Sequence, residues 1–121
     1  KVGEEIIKFI QSLEPQLSSQ IGIITFDAQE RDRLLANSPK EFSKLLIGTV
    51  AEWAGIERAI VIVSCVGHPE NIAVEAINIA LTRGQDYLIL FGDYDFWRQP
   101  GSPLRSFLYQ ALHKERTVIL S

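Results

Sequence analysis

The chain has 121 residues, which favours a single domain over residues 1–121. Its 12 Lys and Arg against 15 Asp and Glu give a net charge of −3, which argues against a free-standing, strongly basic nucleic-acid binder. With 46% hydrophobic and 22% charged residues, the composition is that of a globular domain and excludes a disordered chain.

Several other classes of protein are disfavoured by what the sequence lacks. No apolar run approaches the roughly 20 residues of a membrane helix, and no signal peptide is visible, so we expect a cytoplasmic protein without membrane contact. The single Cys65 excludes an internal disulfide and a cysteine-based zinc site. The chain has no Met and opens at Lys1, which predicts either a segment of a longer protein or a trimmed leader.

Helical and strand patterns alternate along the chain. A stripe of apolar residues predicts an amphipathic helix over Glu4–Leu13, and the unbroken run Ile21–Thr25 is typical of a buried parallel strand. Asp27 is predicted to cap a helix that extends to Leu35, with Glu30 as its capping-box partner. The later elements are an apolar run over Leu45–Val50, strands over Ala59–Val66, Tyr87–Phe91 and Thr117–Leu120, and helices over Glu70–Arg83 and from Ser102-Pro103 to Leu112.

This alternation predicts an α/β fold. Strands that are apolar throughout and separated by helices form a mostly parallel sheet with helices on both faces. Ligands in such folds bind at the carboxyl ends of the strands. Those ends are Thr25–Asp27, Thr49–Glu52, Ser64–His68 and Gly92–Asp95.

Few residues are strong candidates for binding phosphate, binding a metal ion or catalysing a reaction. Neither phosphate-binding glycine motif, G-x-x-x-x-G-K-[ST] or G-x-G-x-x-G, occurs in the sequence, so we expect no phosphate cradle within this chain. His68 and His113 lack ligand spacing, and we expect no metal site. Ser64, Cys65 and His68 could pair a nucleophile with a base, but a cysteine in an apolar strand is typically a core residue.

Charged residues near the Tyr87–Phe91 strand are better candidates for a functional role. Asp93 and Asp95 could bind Mg²⁺, although a polar loop is the preferred interpretation. Arg83 ends the predicted helix directly before that strand. A cation at a helix C-terminus is favourable through the helix dipole alone, so its position does not by itself require a function.

Three segments, taken in order, match a known set of motifs. They are Ile21–Thr25 with Gln29, then Gly48–Val50 with Gly55, Glu57 and Ser64–Val66, and finally Ile77–Arg83 with Tyr87–Asp93. These segments resemble motifs IV, V and VI of superfamily 1 DNA and RNA helicases, and motif VI is the most specific of the three. The most similar branch is the one that contains the nonsense-mediated-decay helicase.

The resemblance implies a three-layer RecA-like domain of the P-loop NTPase type, the second of the two domains of an ATP-dependent motor. An N-terminal RecA-like domain of the same chain would carry the Walker motifs and bind most of the ATP and its Mg²⁺. The isolated 121 residues would then have no ATPase activity. The other partner would be single-stranded DNA or RNA.

The resemblance also implies roles for single residues at the nucleotide. Arg83 would be the catalytic arginine finger, because a guanidinium can neutralise charge that develops on the γ-phosphate. Gly55 would let the backbone approach the nucleotide, and Glu57 would accept a hydrogen bond from the ribose. Gln29 would complete the nucleotide-binding set.

At the nucleic acid, Thr25 and Thr49 would bind phosphates through hydroxyl and backbone donors, which position a strand without reading its sequence.

Departures from the family pattern are Phe26-Asp27 in place of Pro-Tyr, Ala54 in place of Gln and Gly67 in place of Arg. Three interpretations follow: a helicase motor domain, a RecA-like binding or interaction module without motor activity, and an unrelated α/β domain that binds a phosphorylated ligand.

Overall fold

The computed structural model describes residues 2–65, 80, 83–92 and 117–120. The α-helices and strands of these ranges are α1 Val2–Gln11, β1 Ile21–Thr25, α2 Ala28–Asn37, β2 Leu46–Thr49, β3 Arg58–Cys65, β4 Gly84–Gly92 and β5 Thr117–Leu120. Short 3₁₀ helices cover Pro15–Gln20 and Ala51–Trp53.

The described strands form a five-stranded sheet in the order β2-β1-β3-β4-β5, and every neighbouring pair is parallel. This confirms the predicted α/β fold with a parallel sheet, which is consistent with a RecA-like domain. The chain moves outward from β1 to β2 and then returns across β1 to β3. The order of the strands therefore reverses between β1 and β3, where open α/β sheets hold their ligand crevice.

Helices α1 and α2 pack against one face of the sheet. Alternate residues of each strand share that face, and those of β1 and β3 join the helices in a single core. Its buried members are Ile6, Ile10, Ile21, Ile23, Leu34, Phe42, Ile47, Ile62, Ile89 and Phe91. Burying each large apolar side chain stabilises the fold by roughly 1.5–3 kcal/mol.

Trp53 covers the opposite face. A Cβ placed on Gly22, the second residue of β1, would clash with Cη2 of the Trp53 ring, so only glycine fits beneath it. The fully buried indole donates from Nε1 to the carbonyl of Ile23 at 3.1 Å. The predicted helix over residues 70–83, apart from Ala80 and Arg83, and the predicted helix that follows Ser102-Pro103 lie outside the described residues.

Several predicted boundaries differ from the structure by one or more residues, and two of these differences have a clear physical reason. Helix α1 ends at Gln11, before Leu13, and Glu14 is extended because a residue that precedes a proline avoids helical angles. Gly84, predicted as a helix stop, instead begins β4 and pairs with Arg58 of β3.

The start of α2 is confirmed in part. Asp27 is the N-cap, and its side chain accepts from the Gln29 N–H at 3.3 Å. The predicted capping-box role of Glu30 is wrong. Its buried carboxylate accepts from Arg33 Nη1 at 3.2 Å, since the side chain turns along the helix and not back to its cap.

Candidate functional site

All strands of a parallel sheet run in the same direction, so their amino ends lie together on one side of the sheet and their carboxyl ends on the other. We call the side with the amino ends the amino edge and the side with the carboxyl ends the carboxyl edge. Thr25 ends β1 and Thr49 ends β2, so both lie at the carboxyl edge. Glu57 directly precedes β3 and Arg83 directly precedes β4, so both lie at the amino edge. The structure therefore separates the two residues predicted to bind nucleic acid from Glu57 and Arg83, which are predicted to contact the nucleotide.

Hydroxyl side chains form a row along the carboxyl edge. Thr25 is in register with Thr49 on one side and with Ser64 on the other. Thr25 is fully buried, and its hydroxyl donates to the Asp27 carbonyl at 3.1 Å. Ser64 is also fully buried, and its Oγ has no hydrogen-bond partner among the described residues. Thr49 is the partly exposed member of the row that a ligand can reach.

Gln29 lies in the first turn of α2, just after β1, and its side chain is exposed. Because α2 begins where β1 ends, Gln29 is at the carboxyl edge. The structure does not bring it together with Glu57 and Arg83. Its predicted place in the nucleotide-binding set stays a prediction.

A cluster of charged and polar groups surrounds Thr49. The Glu52 carboxylate accepts through Oε1 from the Thr49 N–H at 2.8 Å and from the Thr49 hydroxyl at 3.3 Å. Its Oε2 accepts from Arg31 Nη1 at 2.9 Å, and Arg31 Nε donates to Asp32 at 3.1 Å. We call these four residues the Glu52 cluster.

The contacts within the Glu52 cluster favour the charged forms of Glu52 and Arg31. The Thr49 backbone hydrogen bond, followed by the Arg31 hydrogen bond, lowers the pKa of the Glu52 carboxyl. Hydrogen bonds to Glu52 and then to Asp32 raise the pKa of the Arg31 guanidinium. Glu52 is therefore an anion, and Arg31 a cation, throughout the physiological pH range.

A short segment carries the chain from the carboxyl edge of β2 to the amino edge of β3. It contains the Ala51–Trp53 3₁₀ helix, which the buried Trp53 anchors beneath the sheet. Ala54 and Gly55 follow on the exposed side. Gly55 has a φ of +75°, a left-handed conformation that favours glycine. The motif V segment thus links the two edges of the sheet directly.

At the amino edge, Arg83 is held next to the start of β3. The Arg58 N–H donates to the Arg83 carbonyl at 3.1 Å, and the register between β3 and β4 shifts just after Arg58. A shift in register changes the direction of the neighbouring side chains. The Nε of Arg83 is buried and has no partner among the described residues. An unpaired guanidinium donor is suited to an anion such as a phosphate.

Sequence reasoning missed Glu52 and Arg31 as members of a site. Thr49 and Glu52 have the spacing of a capping box, which was a usable signal for their contact. The pairing of Arg31 with Glu52 joins residues 21 positions apart and had no local signal. Trp53 was missed as the anchor of the crossing segment.

Several predicted features lie outside the described residues, namely His68, His113, Asp93 and Asp95. Within the described ranges, no group of three or more His, Cys, Asp or Glu side chains is arranged to hold a metal ion. No helix in that part of the chain has both the length and the apolar character needed to cross a membrane.

The comparison with known protein families agrees with the resemblance of the sequence to helicase motifs. A family model described as an AAA domain matches residues 1–95. No curated protein matches the sequence. The interpretation as an unrelated α/β domain is wrong, because the family match covers most of the chain and all of the described motif IV and motif V residues. The chain belongs to this AAA domain family, the C-terminal domain of superfamily 1 helicase-like proteins.

Proposed function

We propose that this domain is the second motor domain of an ATP-dependent superfamily 1 helicase that acts on single-stranded nucleic acid. The observation that carries the proposal is the separation of Thr49 from Glu57 and Arg83 at opposite edges of one sheet. A single short segment, anchored by Trp53, joins the two edges. Binding at one edge can therefore shift the backbone that presents residues at the other.

The amino edge is proposed to face ATP across a cleft to a first RecA-like domain. That domain would supply the Walker motifs and most Mg²⁺ ligands, since this sequence contains neither phosphate-binding glycine motif. Arg83 would contact the γ-phosphate, since a guanidinium donor suits an anion and its Nε has no hydrogen-bond partner among the residues that the structure describes. Exposed Glu57 would accept from the ribose, next to the exposed backbone of Gly55. Bound ATP would supply the phosphoryl group, and Arg83 would stabilise the negative charge that develops during its transfer.

The carboxyl edge is proposed to carry the nucleic acid. Thr49 has an N–H and a hydroxyl that both donate to Glu52 in this structure, and donors of these two types suit a backbone phosphate. Thr25 lies beside it in register, and its buried hydroxyl holds the turn into Asp27. Phosphate contacts of this type need no strongly basic surface, which accommodates the net charge of −3.

The test is ATP hydrolysis by the full-length protein, with and without a single-stranded oligonucleotide. We expect hydrolysis that the oligonucleotide stimulates, and none from the isolated 121 residues, because they would hold only part of the nucleotide site. Hydrolysis that is indifferent to nucleic acid would contradict the helicase proposal. DNA and RNA oligonucleotides of equal length, used in parallel, identify the preferred strand.

A second candidate function is a RecA-like binding module that has lost motor activity. Two observations favour it. Ala54, exposed at the crossing segment, carries only a methyl group where the family has a Gln. Glu52 already engages the Thr49 donors. This candidate predicts oligonucleotide binding by the full-length protein without any ATP hydrolysis.

A further inference from the structure

Thr49 already binds an anion that belongs to the chain itself. Its N–H and its hydroxyl donate to Oε1 of Glu52, while Arg31 donates to Oε2. Three donors from two elements, the end of β2 and the first turns of α2, thus converge on one carboxylate. This arrangement is absent from the roles that the motifs imply, which involve neither Arg31 nor Glu52.

The same three donors suit a phosphodiester. A phosphate presents two anionic oxygens much as a carboxylate does, and arginine binds either group through its planar fork. We propose that Arg31 and Thr49 form a phosphate site for single-stranded nucleic acid, and that the Glu52 carboxylate occupies it until a phosphate displaces it. This inference rests on the proposed function, since it assumes that nucleic acid binds at the carboxyl edge.

The exposure of the Glu52 cluster allows this exchange. The side chain of Glu52 is 50% exposed and that of Arg31 is 25% exposed. Exposed ion pairs of this type contribute little to stability, so the carboxylate can rotate into solvent at small cost.

The charge balance makes Glu52 an inhibitory occupant. Arg31 carries one positive charge, and it is shared between the carboxylates of Asp32 and Glu52. A phosphate that approaches Thr49 therefore meets net negative charge. Removing the charge of Glu52 leaves Arg31 available, and like-charge repulsion at the site falls.

Glu52 could instead serve only as the cap of its own turn, because Thr49 and Glu52 have capping-box spacing. A glutamine at position 52 separates the two roles. Its amide oxygen still accepts from the Thr49 N–H, so a cap is retained. Its lack of charge removes both the ion pair with Arg31 and the repulsion of a phosphate.

The experiment measures the affinity of the full-length protein for a labelled single-stranded oligonucleotide, without ATP, at several salt concentrations. We expect E52Q to bind about three- to tenfold more tightly than the wild type, from the loss of one nearby like charge. The slope of log affinity against log salt should steepen by about 0.7, as one more cation becomes available to the phosphates. The double variant R31Q/E52Q should lose this gain.

The control is E41Q, which makes the same charge change at an exposed residue of the connection between α2 and β2. Its affinity and salt slope should equal those of the wild type. If the wild type binds the oligonucleotide but E52Q binds no more tightly, the inference is wrong and the proposed function stands. If neither the wild type nor any variant binds, both are wrong.

Discussion

Replacing Arg83 with alanine in the full-length protein is expected to lower the rate of ATP hydrolysis by about 10³–10⁵-fold. In the proposed function the guanidinium would stabilise the negative charge that grows on the transferred phosphoryl group, and alanine would leave that charge without its partner. Arg83 is held at the amino edge by the hydrogen bond between its carbonyl and the Arg58 N–H. That bond involves only the backbone, so the substitution leaves it in place and the loss is chemical.

Two further variants make this prediction specific. Arg83→Lys keeps the charge but loses the planar fork, so it should recover only a small part of the rate. Lys40→Ala removes the same charge from an exposed position in the connection between α2 and β2 and should hydrolyse ATP at nearly the wild-type rate. Circular dichroism of each variant checks the fold. Equal rates for R83A and the wild type would remove Arg83 from the catalytic machinery.

Truncation of Trp53 to alanine is expected to destabilise the domain by about 3–5 kcal/mol. The indole is fully buried, lies against Gly22 and donates to the Ile23 carbonyl, so its loss leaves a large cavity and an acceptor without its donor. Domains are typically stable by only about 5–15 kcal/mol, so such a loss is a large fraction of the free energy of unfolding. Urea denaturation of the 121-residue chain measures it.

Trp53→Phe is the matched variant for this measurement. It keeps an aromatic ring above Gly22 but removes the Nε1 donor, so we expect a smaller loss than for alanine. A change of less than about 1 kcal/mol in the alanine variant would show that Trp53 does not anchor the crossing segment.

Much of the fold could be predicted from the sequence, because β-branched runs of the correct length identify buried parallel strands. The strands Ile21–Thr25 and Thr117–Leu120 have the predicted bounds. The start of β4 was missed, since Gly84 is as typical of a helix end as of a strand that begins at a bulge. Local sequence cannot separate these two roles of glycine.

The two-edge arrangement of the site follows from strand direction. Thr49 comes after a strand and Glu57 comes before one, so their separation could be predicted once the sheet was known to be parallel. The same rule indicates that Gln29, which follows β1, lies at the carboxyl edge. The ion pair between Arg31 and Glu52 could not be predicted, because it depends on the packing of α2 beside β2.

The proposed function assigns one edge of the sheet to ATP and the other edge to nucleic acid. The most direct test is the rate of ATP hydrolysis by the full-length protein as a function of oligonucleotide concentration, for the wild type, R83A and T49V. We expect R83A to lower the maximal rate. We expect T49V to raise the oligonucleotide concentration for half-maximal stimulation by about tenfold and to retain the maximal rate, because it removes one hydroxyl donor to a phosphate. A T49V variant that lowers the maximal rate at saturating oligonucleotide, with an unchanged half-maximal concentration, would contradict the separation of the two edges.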